Sequence, residues 1–206
     1  MEGNLIVFEG IDGSGKSRQA HRIYNRLKKK KYSVLLFSEP TEGYYGKKIR
    51  QIINGKSERP GPKEEVALFI KDREENILRN IKPGLLINDF IILDRYYYST
   101  IAYQGALGLS PAYIRARNEK IAPRPVLVIL LEVEVKEGLN RIRDNRNSAY
   151  DTYEQKGYLT KVDTIYKSMT DKEIVRIDTN RSIEAIDSDI DEVIDSFLLN
   201  NQIDKN

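Results

Sequence analysis

Short apolar runs alternate along the chain with charged segments in which apolar residues return every three or four positions. The apolar runs predict strands in five segments: NLIVFE, SVLLFSEP, DFIILD, PVLVILLEV and EIVRIDT. The segments between them predict helices. PVLVILLEV is apolar almost throughout, which is typical of a strand covered on both faces. The alternation predicts the α/β class, with a doubly wound, five-stranded parallel sheet flanked by helices.

Two of the predicted helices have clear boundaries. A basic amphipathic helix is predicted from about Lys16 to Lys31. A long helix beginning near Lys63 is predicted to end at Pro83-Gly84, because proline cannot supply the amide hydrogen that a helix interior needs. No repeat or linker interrupts the pattern, so we expect residues 1–206 to form one domain.

Composition and charge narrow the function classes. The 206 residues include 34 basic and 31 acidic ones, a net charge of +3 that is too small for a nucleic-acid arm. The densest basic stretch, RLKKKK at 26–31, fits a solvated helix end better than a binding patch. The absence of cysteine excludes disulfides and thiolate chemistry. The N-terminus is too short and too acidic for a signal peptide, and no apolar run reaches about 18 residues. We expect a cytoplasmic protein with no membrane partner.

A glycine-rich segment follows the first predicted strand and precedes the first predicted helix. It fits the pattern G-x-x-x-x-G-K-[ST] with Gly10, Ile11, Asp12, Gly13, Ser14, Gly15, Lys16 and Ser17. Glycines let successive N–H groups turn towards a phosphate, and the helix N-terminus adds a positive end. Lys16 is then expected to reach the β- and γ-phosphates, and Ser17 to bind Mg²⁺. The segment predicts a phosphate loop for a magnesium nucleotide.

The motif does not specify two charged residues in and directly after this segment. Asp12 brings a carboxylate among phosphate-binding amides, where it either engages a metal or a sugar hydroxyl or caps the turn structurally. Arg18 either contacts the α-phosphate side of the nucleotide or points to solvent.

Polar side chains also cluster after the third strand and on the long helix. Asp94 lies at the carboxyl edge of the sheet, where it is a candidate partner of Mg²⁺, and Arg95 beside it can bind an anion with two hydrogen bonds. The next helix carries Ser99, Thr100, Tyr103 and Gln104, most of which can face one cavity. On the long helix, Phe69 and Arg73 are one turn apart, so a ring and a guanidinium can meet one base.

Together these segments resemble the thymidylate kinase family of P-loop kinases. The resemblance rests on FEGIDGSGKS, SEPTEG, LFIKDR, DRYYYSTIAYQG and YDTYEQKGYLTKVDTIY, in family order from Phe8 to about Tyr166. It implies transfer of the γ-phosphoryl group of MgATP to dTMP, giving ADP and dTDP, by a homodimer.

The resemblance also implies roles at the base and sugar of dTMP. Phe69 stacks on the thymine ring, and Arg73 contacts a thymine carbonyl. Thr100 and Gln104 bond the base edge. Tyr103 crowds the 2′ side of the sugar, which favours deoxyribose.

Further implied roles concern the phosphate and its surroundings. Arg95 holds the monophosphate, and Asp12 approaches the 3′-hydroxyl or a metal-bound water. Glu154 joins the metal and water network, Tyr153 lines the pocket, and Glu39 belongs to the substrate-binding turn SEPTEG.

Three arginines in LNRIRDNRN suggest a mobile lid at about 139–154. A lone arginine here is most simply a solubilising residue, but phosphoryl transfer needs positive charge between two phosphates. Gly13 brings no side chain to the phosphate loop, so the chain resembles those family members whose lid supplies the arginine. Arg143 and Arg146 are favoured, with Arg141 third.

Some residues depart from the family pattern and leave alternatives open. Ser38 stands where an arginine is usual in bacterial members, and TEGYYGKK at 41–48 is not the usual glycine-rich turn. A broader deoxynucleoside monophosphate kinase and a deoxynucleoside kinase therefore stay open. A regulatory P-loop module is less favoured, because the chain has no guanine-reading NKxD-like motif.

Overall fold

The computed structural model describes residues 3–145 and 152–203, with the side chains of all these except 144, 145 and 152–155. Five strands form one sheet. They are β1 (Asn4–Glu9), β2 (Val34–Ser38), β3 (Phe90–Asp94), β4 (Leu127–Glu132) and β5 (Ile174–Asp178). All pairs are parallel, and the order across the sheet is β2-β3-β1-β4-β5. The predicted fold class is confirmed.

Helices connect consecutive strands and cover both faces of the sheet. They are α1 (Lys16–Lys29), α2 (Tyr44–Ile53), α3 (Pro62–Asn76), α4 (Lys82–Ile87), α5 (Tyr97–Ala106), α6 (Pro111–Glu119), α7 (Val135–Asn145), α8 (Thr152–Lys167) and α9 (Ile183–Asn200). No helix in the described ranges is both long enough and apolar enough to cross a membrane.

The long helix does not end at Pro83-Gly84, and that boundary prediction was wrong. A π-helical turn, Ile77–Ile81, follows α3, and α4 then continues through Pro83 to Ile87. A regular helix would require an N–H from Pro83 and would bring its ring against a carbonyl one turn earlier. The wider π turn lies immediately before this position, so the helical path survives the proline.

The buried side chains form two cores, one on each face of the sheet. One core lies under α3, α5, α6 and α8; its strand residues include Leu5, Val7, Ile91, Leu93, Val128 and Leu130. The other lies under α1 and α9; its strand residues include Ile6, Phe8, Phe90, Ile92, Ile129 and Leu131. Neighbours along each strand therefore point to opposite cores, which explains why the central strands are apolar throughout.

The register of the three strands on one side aligns their carboxyl ends. Phe8 of β1 and Ser38 of β2 both pair with Asp94 of β3. The segments that follow these strands therefore leave the sheet at one level. This edge receives the glycine-rich segment, the turn at Glu39 and the Asp94-Arg95 pair.

Helices α1 and α9 are joined by an ion-pair ladder. Its rungs are Arg18–Asp187, Arg22–Asp191, Arg26–Asp195 and Lys30–Asp195, at 2.8, 2.7, 2.6 and 2.9 Å. From one pair to the next, the residue numbers increase on both helices, so the helices run in the same direction. Part of the basic stretch at 26–31 is therefore engaged within the protein.

Candidate active site

The glycine-rich segment forms a tight loop between β1 and α1. Gly13 has φ +82°, in the left-handed region that glycine tolerates best. A Cβ on Gly13 would lie 2.2 Å from the carbonyl oxygen of Gly138 on α7. The loop and the first half of α7 therefore touch through their backbones, at a position that no larger residue fits.

Lys16 turns back into this loop. Its side chain is buried, and Nζ donates to the carbonyl oxygen of Ile11 at 2.7 Å. Burial and the charge of Arg95 lower the pKa of Lys16 to about 8, against the opposing effect of Asp12 and Asp94. The ammonium therefore lies in a loop without full charge compensation.

Two oxygen atoms around the loop are buried without a hydrogen-bond partner among the described residues. One is Ser14 Oγ within the loop, and the other is Asp94 Oδ1 at the end of β3. The other oxygen of Asp94 accepts a hydrogen bond from Ser17 Oγ. Ser17 and Asp94 were predicted as metal ligands, and the fold brings them into contact although 77 positions separate them.

Arg95 is the centre of a second set of contacts. Its backbone has φ +71°, and its N–H donates to the carbonyl oxygen of Phe8 at 3.0 Å. The guanidinium donates to Asp12 at 2.5 Å and to Ser99 at 3.0 Å, and it stacks 5.0 Å from the ring centre of Tyr103. Burial lowers the pKa of Arg95, but Tyr103, Asp12 and other nearby groups raise it well above its ordinary value.

Asp12 joins the phosphate loop to this second set. Besides Arg95, it accepts a hydrogen bond from the hydroxyl of Tyr103 at 2.9 Å. The same hydroxyl accepts from the Asp12 N–H at 3.1 Å. The carboxylate thus faces the pocket that α5 lines.

Arg73 lies fully buried in a third set of contacts. It donates to Glu39 Oε2 at 2.6 and 2.9 Å, to Thr100 Oγ1 at 3.1 Å and to Asn118 Oδ1. Burial raises the pKa of Glu39 above its ordinary value, although the charge of Arg73 and hydrogen bonds from Asn76 and Arg73 oppose that rise. The predicted substrate residues Arg73, Glu39 and Thr100, from three separate elements, are therefore in direct contact.

Phe69 and Gln104 flank this set. Phe69 is partly exposed and lies outside both cores, as a ring available to a ligand would. Gln104 is buried and donates to Glu65 at 3.3 Å, while its Oε1 has no partner in the described part of the chain.

The predicted lid arginines differ in their surroundings. Arg141 donates to the carbonyl oxygens of Thr179 at 2.9 Å and Gly13 at 3.5 Å, so it lies beside the phosphate loop. Arg143 is exposed and donates to Asn140 at 3.4 Å. Arg146 lies outside the described residues, as do residues 146–151 of the predicted lid at 139–154 and the side chains of Tyr153 and Glu154.

Arg18 is half-exposed to solvent, one of its two expected surroundings, and it also pairs with a neighbouring helix. Its guanidinium donates to both carboxylate oxygens of Asp187, at 2.8 and 2.9 Å, in the ladder to α9. That bidentate pair occupies one edge of the guanidinium and directs it at α9. Contact of Arg18 with the nucleotide stays a prediction.

Sequence reasoning missed Glu9 and Asn118, both of which are fully buried beside predicted site residues. A signal existed for Glu9. It ends a buried strand, and a carboxylate there requires hydrogen-bond partners from other elements. Asn118 lies on a helix with no distinguishing pattern, and only the fold brings it to Arg73.

Comparison with known proteins agrees with this geometry. The family model described as thymidylate kinase matches residues 8–190. A probable thymidylate kinase of Archaeoglobus fulgidus is 41% identical over 94% of this chain and 96% of its own length. A thymidylate kinase of Desulfotalea psychrophila is 40% identical over 91% and 92%, and a probable thymidylate kinase of Pyrococcus horikoshii is 46% identical over 69% and 71%. The resemblance of the motifs is thereby confirmed, and the chain belongs to the thymidylate kinase family of P-loop kinases.

Proposed function

We propose that this chain transfers the γ-phosphoryl group of MgATP to dTMP, giving ADP and dTDP. One observation carries the proposal beyond the family match. The phosphate loop and the pocket around Arg73 and Arg95 lie at one sheet edge, and the Asp12–Arg95 ion pair connects them. A site that only holds a nucleotide needs no second anion-binding arginine at this place.

The donor half suits a magnesium nucleotide. Ser17 Oγ and Asp94 are oxygen ligands of the kind that Mg²⁺ prefers, and phosphate and water oxygens complete such sites. The buried Ser14 Oγ can donate to a phosphate oxygen. When bound, Mg²⁺ neutralises charge on the β- and γ-phosphates. Lys16 exchanges its bond to Ile11 for these phosphates, and the loop N–H groups orient them.

The acceptor half suits a pyrimidine deoxynucleotide. In this proposal Arg95 binds the monophosphate, Phe69 stacks on the base, and Gln104 uses its free Oε1 on the base edge. Among the described contacts, Arg73 donates to Glu39, Thr100 and Asn118 with all but one of its N–H groups. In the proposal, the remaining N–H donates to a base carbonyl. In the proposal, Tyr103 limits the room beside the sugar.

The transfer itself needs positioning and charge neutralisation more than proton removal. The attacking oxygen of the acceptor phosphate is already anionic, so no general base is required. Arg95, Lys16 and the α7 arginines reduce the repulsion between the two phosphates. In the proposal, Arg141 contributes from the base of the lid, and Arg143 and Arg146 from further along it.

A substrate panel tests the proposal. MgATP is offered with dTMP, dUMP, dCMP, dGMP or thymidine, and ADP formation is followed. We expect dTMP to give the highest kcat/KM. Comparable rates with several monophosphates would indicate the broader kinase, in line with Ser38. Phosphorylation of thymidine with no use of dTMP would contradict the proposal.

We also propose that residues 1–206 form one domain that works as a cytoplasmic homodimer. The family resemblance supports the dimer, and so do apolar side chains left at the surface near α4, where Leu78, Leu86 and Ile87 are 67%, 69% and 79% exposed. Light scattering on the purified chain measures its mass. A mass near 23.8 kDa at micromolar concentration would contradict the dimer.

A further inference from the structure

Glu9 is the last residue of β1 and directly precedes the phosphate loop. Its side chain has no exposed surface, and both carboxylate oxygens accept two hydrogen bonds each. The donors come from the segment after β3 and from α8. A single buried carboxylate thus joins three elements that border the site.

One oxygen of Glu9 caps helix α5. The first N–H groups of a helix have no partner within it, and a side chain just before the helix usually accepts from them. The residue at this position, Tyr96, gives no such bond. Instead Glu9 Oε1 accepts from the N–H of Tyr96 at 2.8 Å and of Ser99 at 3.1 Å. The negative charge also suits the positive end of the helix.

The second oxygen of Glu9 reaches Arg95 through one hydroxyl group. Ser99 Oγ donates to Glu9 Oε2 at 2.6 Å and accepts from Arg95 Nη1 at 3.0 Å. The hydroxyl of Tyr166, on α8, donates to the same oxygen at 2.8 Å. Ser99 has one hydroxyl hydrogen, and its oxygen also lies 2.9 Å from the Tyr166 hydroxyl. When that hydrogen is given to Glu9, the acceptor lone pairs of Ser99 face Arg95 and Tyr166.

We propose that Glu9 is a positioning residue for acceptor use: it fixes the first turn of α5 and, through Ser99, the direction of the Arg95 guanidinium. The inference rests on the proposed function in taking the anion at Arg95 to be the acceptor's phosphate. Glu9 touches neither substrate in this account. Its effect is to hold Arg95 in one orientation before the phosphate arrives, which spares binding the cost of ordering it.

The four hydrogen bonds that Glu9 accepts favour its charged form. Burial raises the pKa of its carboxyl, and hydrogen bonds from Ser99 and Tyr166, with the charge of Arg95, reduce that rise without cancelling it. Burying a carboxylate costs free energy that a glutamine of nearly the same shape avoids. A residue required only to fill space or cap the helix would have no need of that charge.

The variants Glu9→Gln and Glu9→Ala test the inference. Gln retains an oxygen for the two N–H groups of α5 but replaces the acceptor facing Ser99 with a donor. We expect Glu9→Gln to keep its fold and its KM for ATP within twofold, and to raise the KM for dTMP about tenfold. Glu9→Ala loses both functions, so we expect a larger rise in this KM and a lower Tm.

Glu173→Gln is the matched control. Glu173 is also a buried carboxylate that accepts from an α5 tyrosine, Tyr98, at 2.8 Å, but it pairs with Arg124 instead of Arg95. We expect this variant to lower the Tm and to leave the KM for dTMP unchanged. A Glu9→Gln enzyme with an unchanged KM for dTMP, or with equal rises for both substrates, would overturn the inference.

A readout without substrate separates this inference from the proposed function. The Nε–H signal of Arg95 in the ligand-free protein can be identified by NMR from its loss in Arg95→Lys. We expect the signal to shift or broaden in Glu9→Gln and to stay in place in Glu173→Gln. An unchanged signal would overturn the inference even if dTMP is the substrate. Absence of turnover with dTMP in the unaltered chain would refute the proposed function and leave this result standing.

Discussion

The phosphate loop and the proposed acceptor pocket, the surroundings of Arg73 and Arg95, lie at the same sheet edge, but different parts of the chain build them. The loop is one continuous segment, residues 10–17, and its neighbourhood keeps buried oxygens without a partner in the described chain, at Ser14 and Asp94. The acceptor pocket draws its cations from separate elements, and each is already paired: Arg73 with Glu39 and Arg95 with Asp12.

This difference indicates how each substrate binds. The donor loop is preformed and offers unused hydrogen-bonding capacity, so a nucleotide needs little rearrangement beyond the turn of Lys16. In the proposed function, by contrast, the acceptor's phosphate shares or replaces the contact of Arg95 with Asp12. We therefore expect changes in the loop to affect turnover most, and changes in the pocket to affect the KM for dTMP and the stability of the fold.

Loss of the loop cation should have the largest effect. Lys16→Ala should lower kcat by roughly 10³-fold, because it removes the buried cation proposed to contact the transferred phosphate. Binding of dTMP, measured by calorimetry, should stay within twofold. Lys28→Ala on the exposed part of the same helix is the control and should be close to unaltered. Full turnover by Lys16→Ala would contradict the assignment of the loop.

Loss of the pocket cation should affect both stability and acceptor use. Arg73→Leu leaves Glu39 buried without its ion-pair partner, at a cost of about 3–5 kcal/mol in the free energy of unfolding. The KM for dTMP should rise at least tenfold and that for ATP should not. Urea unfolding and steady-state kinetics measure the two effects.

Arg115→Leu provides the matched control for Arg73. Arg115 pairs with Asp171 at 2.7 Å, away from the pocket and partly exposed, so about 1 kcal/mol is expected from its removal. If Arg73→Leu fails to fold, Arg73→Lys retains a charge without the planar fork and should still raise the KM for dTMP. Equal effects of the Arg73 and Arg115 substitutions on that KM would remove Arg73 from the site.

The pH dependence of binding should distinguish the two halves. The Lys16 ammonium is charged below its pKa of about 8 in the free protein and neutral above it. ATP affinity should therefore be steady from pH 7 to 8 and fall by up to tenfold per unit above it, with proton uptake on binding near pH 8. Binding of dTMP should show no such fall, because the pKa of Arg95 is raised. Calorimetry from pH 7 to 9.5, in buffers of different ionisation enthalpy, measures both, and parallel curves would contradict the distinction.

The smallest effect is expected at Arg18. Arg18→Ala removes an ion pair of a half-exposed side chain, so about 1 kcal/mol of stability or less is at stake. The KM for ATP should change less than twofold, and Asp187→Ala should behave alike. A tenfold rise in that KM for Arg18→Ala alone would place Arg18 at the nucleotide site.

The sheet and the phosphate loop could be predicted because both depend on local pattern. Apolar runs of strand length recur in the sequence, and the glycine spacing directly encodes the loop. The exception, the helix through Pro83, shows the limit of local rules. A π turn precedes Pro83 and lets the helix continue although proline lacks the N–H that a regular helix needs. The residues around Pro83 carry no pattern that predicts that turn.

The acceptor pocket could be predicted as a set of residues but not as a set of contacts. Arg73 meets Asn118, 45 positions away, and Arg18 meets Asp187, 169 positions away. Such partners depend on how the helices pack, and the motif around each arginine does not predict that packing. The pairing of Arg95 with Asp12 follows from strand register, which the sequence specifies only through the whole sheet.

The contact between Gly13 and Gly138 constrains how this sequence can change over generations. An arginine at position 13 is one way to bring a cation to the phosphates, yet its Cβ would meet a backbone oxygen, which no single replacement on α7 can remove. The substitution becomes acceptable only after α7 has shifted, and that shift would move Arg141 away from the loop. Proteins that have made only the first of these two changes would lose the charge of Arg141 near the phosphates before they gain an arginine at position 13. We therefore expect relatives with this geometry to retain the arginines of α7.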